Sequence, residues 1–208
     1  MAANGESAPF LAENVDPTMF FAGSVLLTVP HQDDGVLGCG ATLARMRGRG
    51  PIHVVYATDG GDSPAPLLRW RDPRPEGLAQ IRAEEARRAM EHLGVPRNHL
   101  HFLGHPDGRL RQHMPELRRQ LQELMDRIGP DHVLTPFRYD RHPDHLALNR
   151  AVLDVCAGSG PCDTEYFVYS QWKLLPRKDL RAYIRPGLLR QVVPESVAHV
   201  KREALDRF

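Results

Sequence analysis

Cysteine is scarce in this sequence, and its positions exclude one class of protein. Only three of the 208 residues are cysteines, namely Cys39, Cys156 and Cys162. They form no CxxC pair and cannot make an even set of disulfides, which argues against a disulfide-stabilised secreted scaffold. We therefore expect a reducing compartment, and the cytoplasm in particular.

An excess of charge of one sign is also lacking. The 27 basic and 26 acidic residues leave a formal charge of +1, which gives no electrostatic footprint for nucleic acid or for a membrane surface. No apolar run is long enough to insert into a bilayer, and residues 1–16 lack the features of a signal peptide. With 41% hydrophobic residues, the chain can build a sizeable core. We predict a loosely ordered extension over residues 1–20 and a single domain over 21–208, and the oligomeric state stays open, a homo-oligomer included.

The order of the apolar segments predicts the fold class. Short runs typical of buried strands lie at 24–29, 52–58, 100–103 and 132–135, and segments with helical spacing separate them. This alternation predicts an α/β fold with a Rossmann-like, doubly wound, mostly parallel sheet and helices on both faces. The proline- and arginine-rich stretch 63–77 is expected to be a long loop that roofs a pocket at the carboxyl edge of the sheet.

A chemically reactive group of residues follows the first buried strand. Pro30 ends the strand, and His31, Asp33 and Asp34 come directly after it. In open α/β sheets, ligands bind at the carboxyl ends of the strands. His31 and Asp34 can bind one metal ion while Asp33 stays free to accept a proton from water, as a metal hydrolase requires. Taken alone, the stretch is equally compatible with a polar loop whose acids cap a helix.

A second group of histidines follows the fourth strand. In Asp-Arg-His-Pro-Asp-His, residues 140–145, Pro143 suits the first position of a helix, so His142 is the expected cap and His145 lies in the first turn. Both histidines should face the same sheet edge as His31 and Asp34. Three protein ligands with an open fourth position are typical of a catalytic zinc site.

These motifs resemble those of the LmbE-like, or PIG-L-type, zinc-dependent N-acetylglucosamine deacetylases. The usual motifs of that family are His-Pro-Asp-Asp-Glu and His-Pro-Asp-His, and the resemblance extends from about Ser24 to Tyr169. It includes Ala-Thr-Asp-Gly-Gly at 57–61 and Phe-Leu-Gly-His-Pro-Asp-Gly-Arg-Leu at 102–110. Several separated motifs in the right order are more specific than any one of them.

The resemblance implies a role for seven residues, and chemical reasoning adds an eighth, a carboxylate that keeps the pKa of His142 near neutral. His31, Asp34 and His145 would bind the metal, Asp33 would be the general base, and His142 would stabilise the oxyanion and protonate the leaving amine. Arg82 and Asp107 match substrate-contacting positions, although a helix salt bridge with Glu85 and a turn aspartate explain them equally well. Asp144, or alternatively Asp140, would be the carboxylate that supports His142. The implied cofactor is zinc, with ferrous iron as the alternative.

The implied activity is removal of an N-acetyl group from an N-acetylglucosamine-type sugar or a related small metabolite. Gln32 stands where the family usually has proline, and Gly35 where it usually has a glutamate that would support the metal ligands. An alternative is therefore a non-catalytic relative that binds a sugar or metabolite. A dinucleotide-binding protein with its glycine turn at Gly38 and Gly40 is a weaker alternative, because seven residues separate that turn from the strand.

Overall fold

A five-stranded parallel sheet forms the centre of the protein. The computed structural model describes residues 13–62, 75–159, 164–166 and 189–208. Within these ranges the central strands are β2 (Val25–Val29), β3 (Ile52–Thr58), β4 (Leu100–His105), β5 (His132–Pro136) and β6 (Thr164–Tyr166). Their order is β4-β3-β2-β5-β6, and every neighbouring pair is parallel. A small second sheet pairs β1 (Glu13–Asn14) with β7 (Leu189–Arg190).

Helices cover both faces of the central sheet. They are α1 (Pro17–Phe20), α2 (Asp34–Met46), α3 (Pro75–His92), α4 (Met114–Ile128), α5 (Pro143–Ser159) and α6 (Glu195–Leu205), with 3-10 turns at Arg97–His99 and Leu110–His113. No helix among the described residues is long and apolar enough to cross a membrane.

The residues of β2 explain why the sheet is covered twice. All five are fully buried, and successive side chains point to opposite faces. Val25, Leu27 and Val29 belong to the core beneath α2, α3 and α6, whereas Leu26 belongs to the core beneath α4 and α5. A strand buried on both faces is nearly all apolar, which is the pattern of this segment.

The sheet contains one topological switch point. The chain runs outward from β2 through β3 to β4, and then crosses back to place β5 on the other side of β2. At such a point the connections leave neighbouring strands in opposite directions and open a crevice at their carboxyl ends. The loops after β2 and β5, which carry both predicted motifs, therefore start side by side.

The predicted fold class is confirmed, and one alternative is excluded. Gly38 and Gly40 lie inside α2, so the dinucleotide-binding turn considered for them is absent. Of the predicted N-terminal extension, residues 1–12 lie outside the described residues, and residues 13–20 contain β1 and α1. The predicted loop over 63–77 falls mostly on residues that are not described, and its last three positions begin α3.

Candidate metal centre

The two predicted motifs meet at the switch point. His31 follows β2, and Asp34 is the first residue of α2, while His145 lies in the first turn of α5. All three side chains are buried, and His145 is only 1% exposed. The strand ends and helix starts thus place imidazoles and carboxylates together in a site that holds little water.

Asp34 lies between the two histidines predicted to bind metal. Its Oδ2 is 3.0 Å from Nδ1 of His31 and 3.2 Å from Nε2 of His145. The same oxygen accepts a hydrogen bond from the backbone N–H of His31 at 3.1 Å. Burial opposes the charged carboxylate, but His145 and His31 outweigh it and hold the pKa of Asp34 well below its usual range.

His31 is held at both ring nitrogens. Its Nε2 lies 3.1 Å from Oδ1 of Asp107 and 3.4 Å from Oδ2 of Asp144, on the side away from Asp34. Burial disfavours the charged ring, but hydrogen bonds to Asp107, Asp144 and Asp34 outweigh that effect and raise the pKa of His31 to about 12. Carboxylates on Nε2 keep the proton there, which leaves Nδ1 as the nitrogen that can bind a metal.

His145 has the same arrangement with a different carboxylate. Its Nδ1 lies 3.0 Å from Oδ2 of Asp140, so Nε2 faces Asp34. Burial opposes the charged ring, but Asp34 and Asp140 raise the pKa of His145 to about 9. A metal-binding histidine usually donates its other N–H to a carboxylate, and Asp140 occupies that position. The other oxygen of Asp140 accepts the backbone N–H of His142 at 2.8 Å.

His142 caps α5, as predicted, and its tautomer follows from that role. Its carbonyl oxygen accepts the backbone N–H of Leu146 at 3.1 Å, and its Nδ1 accepts the backbone N–H of Asp144 at 3.3 Å. Because Nδ1 is an acceptor, the ring proton lies on Nε2. Burial, followed by the charges of His31 and His145, lowers the pKa of His142, so the ring is neutral.

Asp33 is not the helix cap that the alternative interpretation required. It stands at the N-cap position of α2, yet its side chain makes no capping hydrogen bond. Its Oδ1 instead lies 3.0 Å from Nη2 of Arg82. Burial, and then the charge of Asp34, raises the pKa of Asp33, which makes this carboxylate a stronger base than an ordinary aspartate.

The donor set suits a divalent cation. Ligand atoms of His31, His142 and His145 lie within 4.8 Å of one another, and so do those of His31, Asp107 and Asp144. Asp144 is less suited to be a ligand, because its two oxygens accept the backbone N–H groups of Gly108 and Leu110 at 2.8 and 3.0 Å. Each of the two buried histidines faces carboxylates from both ring nitrogens, so the site carries excess negative charge. A bound dication would replace the protons on Nδ1 of His31 and Nε2 of His145 and so keep two positive charges among these carboxylates.

The two predicted substrate contacts lie at the centre of the site. Arg82 bonds to Asp33, and Asp107 bonds to His31. Asp107 is also positioned by Asp59, whose Oδ1 accepts its backbone N–H at 3.2 Å.

The site also explains Gly35. A β-carbon at Gly35 would lie 2.8 Å from Cε of Met90 and 3.3 Å from Cγ1 of Val29, so the Met90 side chain would have to shift to admit a glutamate here. Asp107, Asp140 and Asp144 supply the carboxylates around the histidines instead. From the sequence, Asp140 and Asp144 are expected only as partners of His142. The contact between Asp140 and His145 could not be predicted, because it depends on the exact start of α5.

Fold and site together define an α/β protein with a candidate metal centre at the switch point of a parallel sheet. Residues 26–156, more than half of the chain, match the family model for PIG-L, GlcNAc-PI de-N-acetylase. The chain belongs to the PIG-L family.

Characterised and uncharacterised deacetylases are among its relatives. It is 34% identical to diacetylchitobiose deacetylase of Thermococcus kodakarensis over 128 residues, which are 58% of this chain and 44% of that protein. It is 31% identical to the uncharacterized deacetylase YaiS of Escherichia coli over 139 residues, covering 64% of this chain and 67% of that protein. The chain thus spans less than half of the first relative's length.

A solved structure shows the same fold. The pseudoaglycone deacetylase Dbv21 superposes with a TM-score of 0.69 at 21% identity, covering 90% of this chain and 81% of that one.

Proposed function

We propose that this protein is a metal-dependent deacetylase that hydrolyses the acetamide of an N-acetylglucosamine-type sugar. The observation that carries the proposal is the position of Asp34 Oδ2 between His31 and His145, with Asp33 beside it and making no capping bond. In this arrangement Asp34 is free to bind the metal and Asp33 to act as the general base. Membership of the PIG-L family and similarity to diacetylchitobiose deacetylase support the substrate class.

We assign the metal to His31, Asp34 and His145. Nitrogen and oxygen ligands favour zinc, and ferrous iron is the alternative. A cation bound there would polarise the acetyl carbonyl and lower the pKa of water. His142 belongs to the three-histidine group, but its neutral Nε2–H and its half-buried position suit a hydrogen-bond donor better than a ligand.

Asp33 takes the proton of the attacking water. Its Oδ1 is engaged by Arg82, so Oδ2 is the basic atom. As the water oxygen bonds to the acetyl carbon, its proton moves to Asp33, and the carbonyl oxygen gains negative charge. General bases of this kind contribute ~100- to 10,000-fold in rate.

His142 stabilises that negative charge from Nε2–H. A preorganised donor aimed at a developing oxyanion contributes about 3–4 kcal/mol in comparable sites. The carbon–nitrogen bond then breaks, and the leaving nitrogen takes the proton held by Asp33, which yields acetate and a free amine. This division changes the role expected for His142, because a neutral imidazole is a hydrogen-bond donor rather than an acid.

Asp107 is the proposed contact to the sugar. It uses Oδ1 for His31, and we propose that Oδ2 accepts a hydroxyl group of the substrate.

The test is acetate release from N-acetylglucosamine and from N,N′-diacetylchitobiose by zinc-loaded protein. We expect turnover that a chelator abolishes and added zinc restores. Absence of acetate from both sugars under full zinc occupancy would contradict the proposal and favour the sugar-binding alternative. That alternative rests on Gly35, whose place in the structure is filled by the Met90 side chain while the proposed catalytic residues keep their contacts.

The cellular location of the protein and the boundaries of its domain are also proposals. We place the protein in the cytoplasm because of its few cysteines. We also retain a single domain over 21–208 after an extension over 1–20.

A further inference from the structure

The guanidinium group of Arg82 donates two hydrogen bonds to other parts of the protein. From α3 it reaches the site with Nη2 at 3.0 Å from Oδ1 of Asp33 and Nη1 at 3.2 Å from the carbonyl oxygen of Gly60. Its side chain is 12% exposed. An arginine that bound the substrate directly would present its donors to the crevice, so this geometry points to another role.

The loop after β3 is shaped to receive Arg82. Gly60 has a φ of +69°, a conformation that favours glycine. A β-carbon there would clash with Oε1 of Gln32 and would lie 2.9 Å from Nη1 of Arg82. The backbone of Gly60 therefore passes between these two side chains, and only glycine leaves room for both.

Gln32 holds the same loop from the other side. It is 1% exposed, and its Nε2 donates to the carbonyl oxygen of Thr58 at 3.0 Å. The proline usual at this place in the family has no such donor. Gln32, Gly60 and Arg82 thus form one connected unit, which we call the Arg82 support, and it ends at the carboxylate of Asp33.

We propose that Arg82 is a positioning residue that orients the carboxylate of Asp33 for proton transfer, and that Gln32 and Gly60 hold Arg82 in place. Asp33 lacks a capping bond to α2, so the ion pair restrains its χ angles. Oδ1 is fixed by Arg82, and Oδ2 is left facing the crevice. The inference rests on the proposed function, in which Asp33 is the base.

The experiment compares Arg82→Met, Arg82→Lys and Gly60→Ala with wild type. Arg88→Met is the matched control, because Arg88 lies on the same helix, is exposed and pairs with Glu84 rather than with Asp33. Zinc content, kcat and KM for acetate release from N,N′-diacetylchitobiose, and crystal structures of the zinc-loaded proteins are measured. Gly60→Ala perturbs the support while Arg82 itself is retained.

We expect Arg82→Met to lower kcat by ~10- to 100-fold, the size of effect that a misplaced catalytic group produces. KM and zinc content should stay close to wild type, and Arg82→Lys should restore part of kcat. Gly60→Ala should act in the same direction, and Arg88→Met should have no effect. In the crystal structure of Arg82→Met, the Asp33 carboxylate should be rotated or bound to the metal.

Two results would overturn the inference. One is a rise in KM at unchanged kcat, which would make Arg82 a substrate contact. The other is an Asp33 carboxylate that keeps its wild-type position in Arg82→Met. If wild type releases no acetate, the proposed function fails on that count, and the crystal structures still decide whether Arg82 positions Asp33.

Discussion

Replacing Asp140 by asparagine tests the assignment of His145 as a metal ligand without mutating any of the proposed ligands. Asp140 accepts from Nδ1 of His145 at 3.0 Å and from the backbone of His142 at 2.8 Å. Asparagine has nearly the same shape, but it removes the negative charge and has one accepting oxygen instead of two. Its NH2 group must therefore face either Nδ1 of His145 or the backbone N–H of His142. The variant should fold and bind zinc more weakly.

The smallest expected loss follows from the change in the hydrogen bond to His145 alone. A bond to a charged group contributes about 1.5–3 kcal/mol, and a neutral bond about 0.5–1.5 kcal/mol. A difference of ~1–2 kcal/mol corresponds to ~5- to 30-fold in an equilibrium constant. This range overlaps the ~10- to 100-fold loss of metal affinity seen when carboxylate partners of metal-binding histidines are removed.

The assay is a zinc titration against a competing chromophoric chelator at constant pH, with circular dichroism to check the fold. Asp154→Asn is the matched control, since Asp154 lies within α5, away from the site, and pairs with Arg118 and Arg150. The control should bind zinc like wild type. Equal zinc affinity of folded Asp140→Asn and wild type would refute the role of His145 as a ligand supported by Asp140.

Three further predictions concern the metal, the base and the stability. His145→Ala should lose zinc, whereas His142→Ala should keep zinc and lose activity. Metal analysis and acetate release measure the two effects. Loss of zinc from both variants would instead favour binding of the metal by His31, His142 and His145. Asp33→Ala should keep zinc and lose ~100- to 10,000-fold in turnover, the usual contribution of a general base, and full activity at full zinc occupancy would show that another group takes the proton. Burial, followed by the charges of His99, His101 and Arg127, lowers the pKa of His53 from 6.5 to about 4. The folded protein therefore binds fewer protons than the unfolded chain, so the stability linked to His53 is complete above pH 6.5 and is lost as the pH falls towards 4. Because His53 is partly exposed, its effect at pH 5 should be on the order of 1 kcal/mol, and urea unfolding of His53→Gln at pH 7 and pH 5 should show a smaller pH dependence than wild type.

Much of the fold could be predicted because its signals are local. The buried run 52–58 and the start of α5 at Pro143 agree with the structure. Helix α4 ends at Ile128, and the residue after it is Gly129, a glycine with φ of +57°. Apolar spacing, a proline at a first helical turn and a glycine after a last turn each act over a few residues, so they can be recognised without the tertiary structure.

The candidate site could be predicted in part. The residue types and their order along the chain indicated a cluster of His31, Asp34 and His145, since neighbouring parallel strands end at one edge. The partners of that cluster could not be predicted, because Asp107 and Asp144 reach His31 across 76 and 113 residues of sequence. Such contacts depend on side-chain rotamers and on the paths of loops, for which a single sequence has no periodic signal.

By itself, the sequence determined the α/β class, the four strands β2 to β5, and the chemistry available at the ends of β2 and β5, because hydrophobic periodicity and motif composition act locally. It did not predict β6 or the small second sheet. Only the tertiary structure decided three contacts of the site. Asp140 accepts from His145, Arg82 pairs with Asp33, and the Met90 side chain lies beside Gly35. The physical reason is that these contacts depend on side-chain rotamers and on where helices lie. Helix α3 brings Arg82 and Met90 to Asp33 and Gly35, and the start of α5 sets the position of His145 relative to Asp140. Hydrophobic periodicity carries no signal for either.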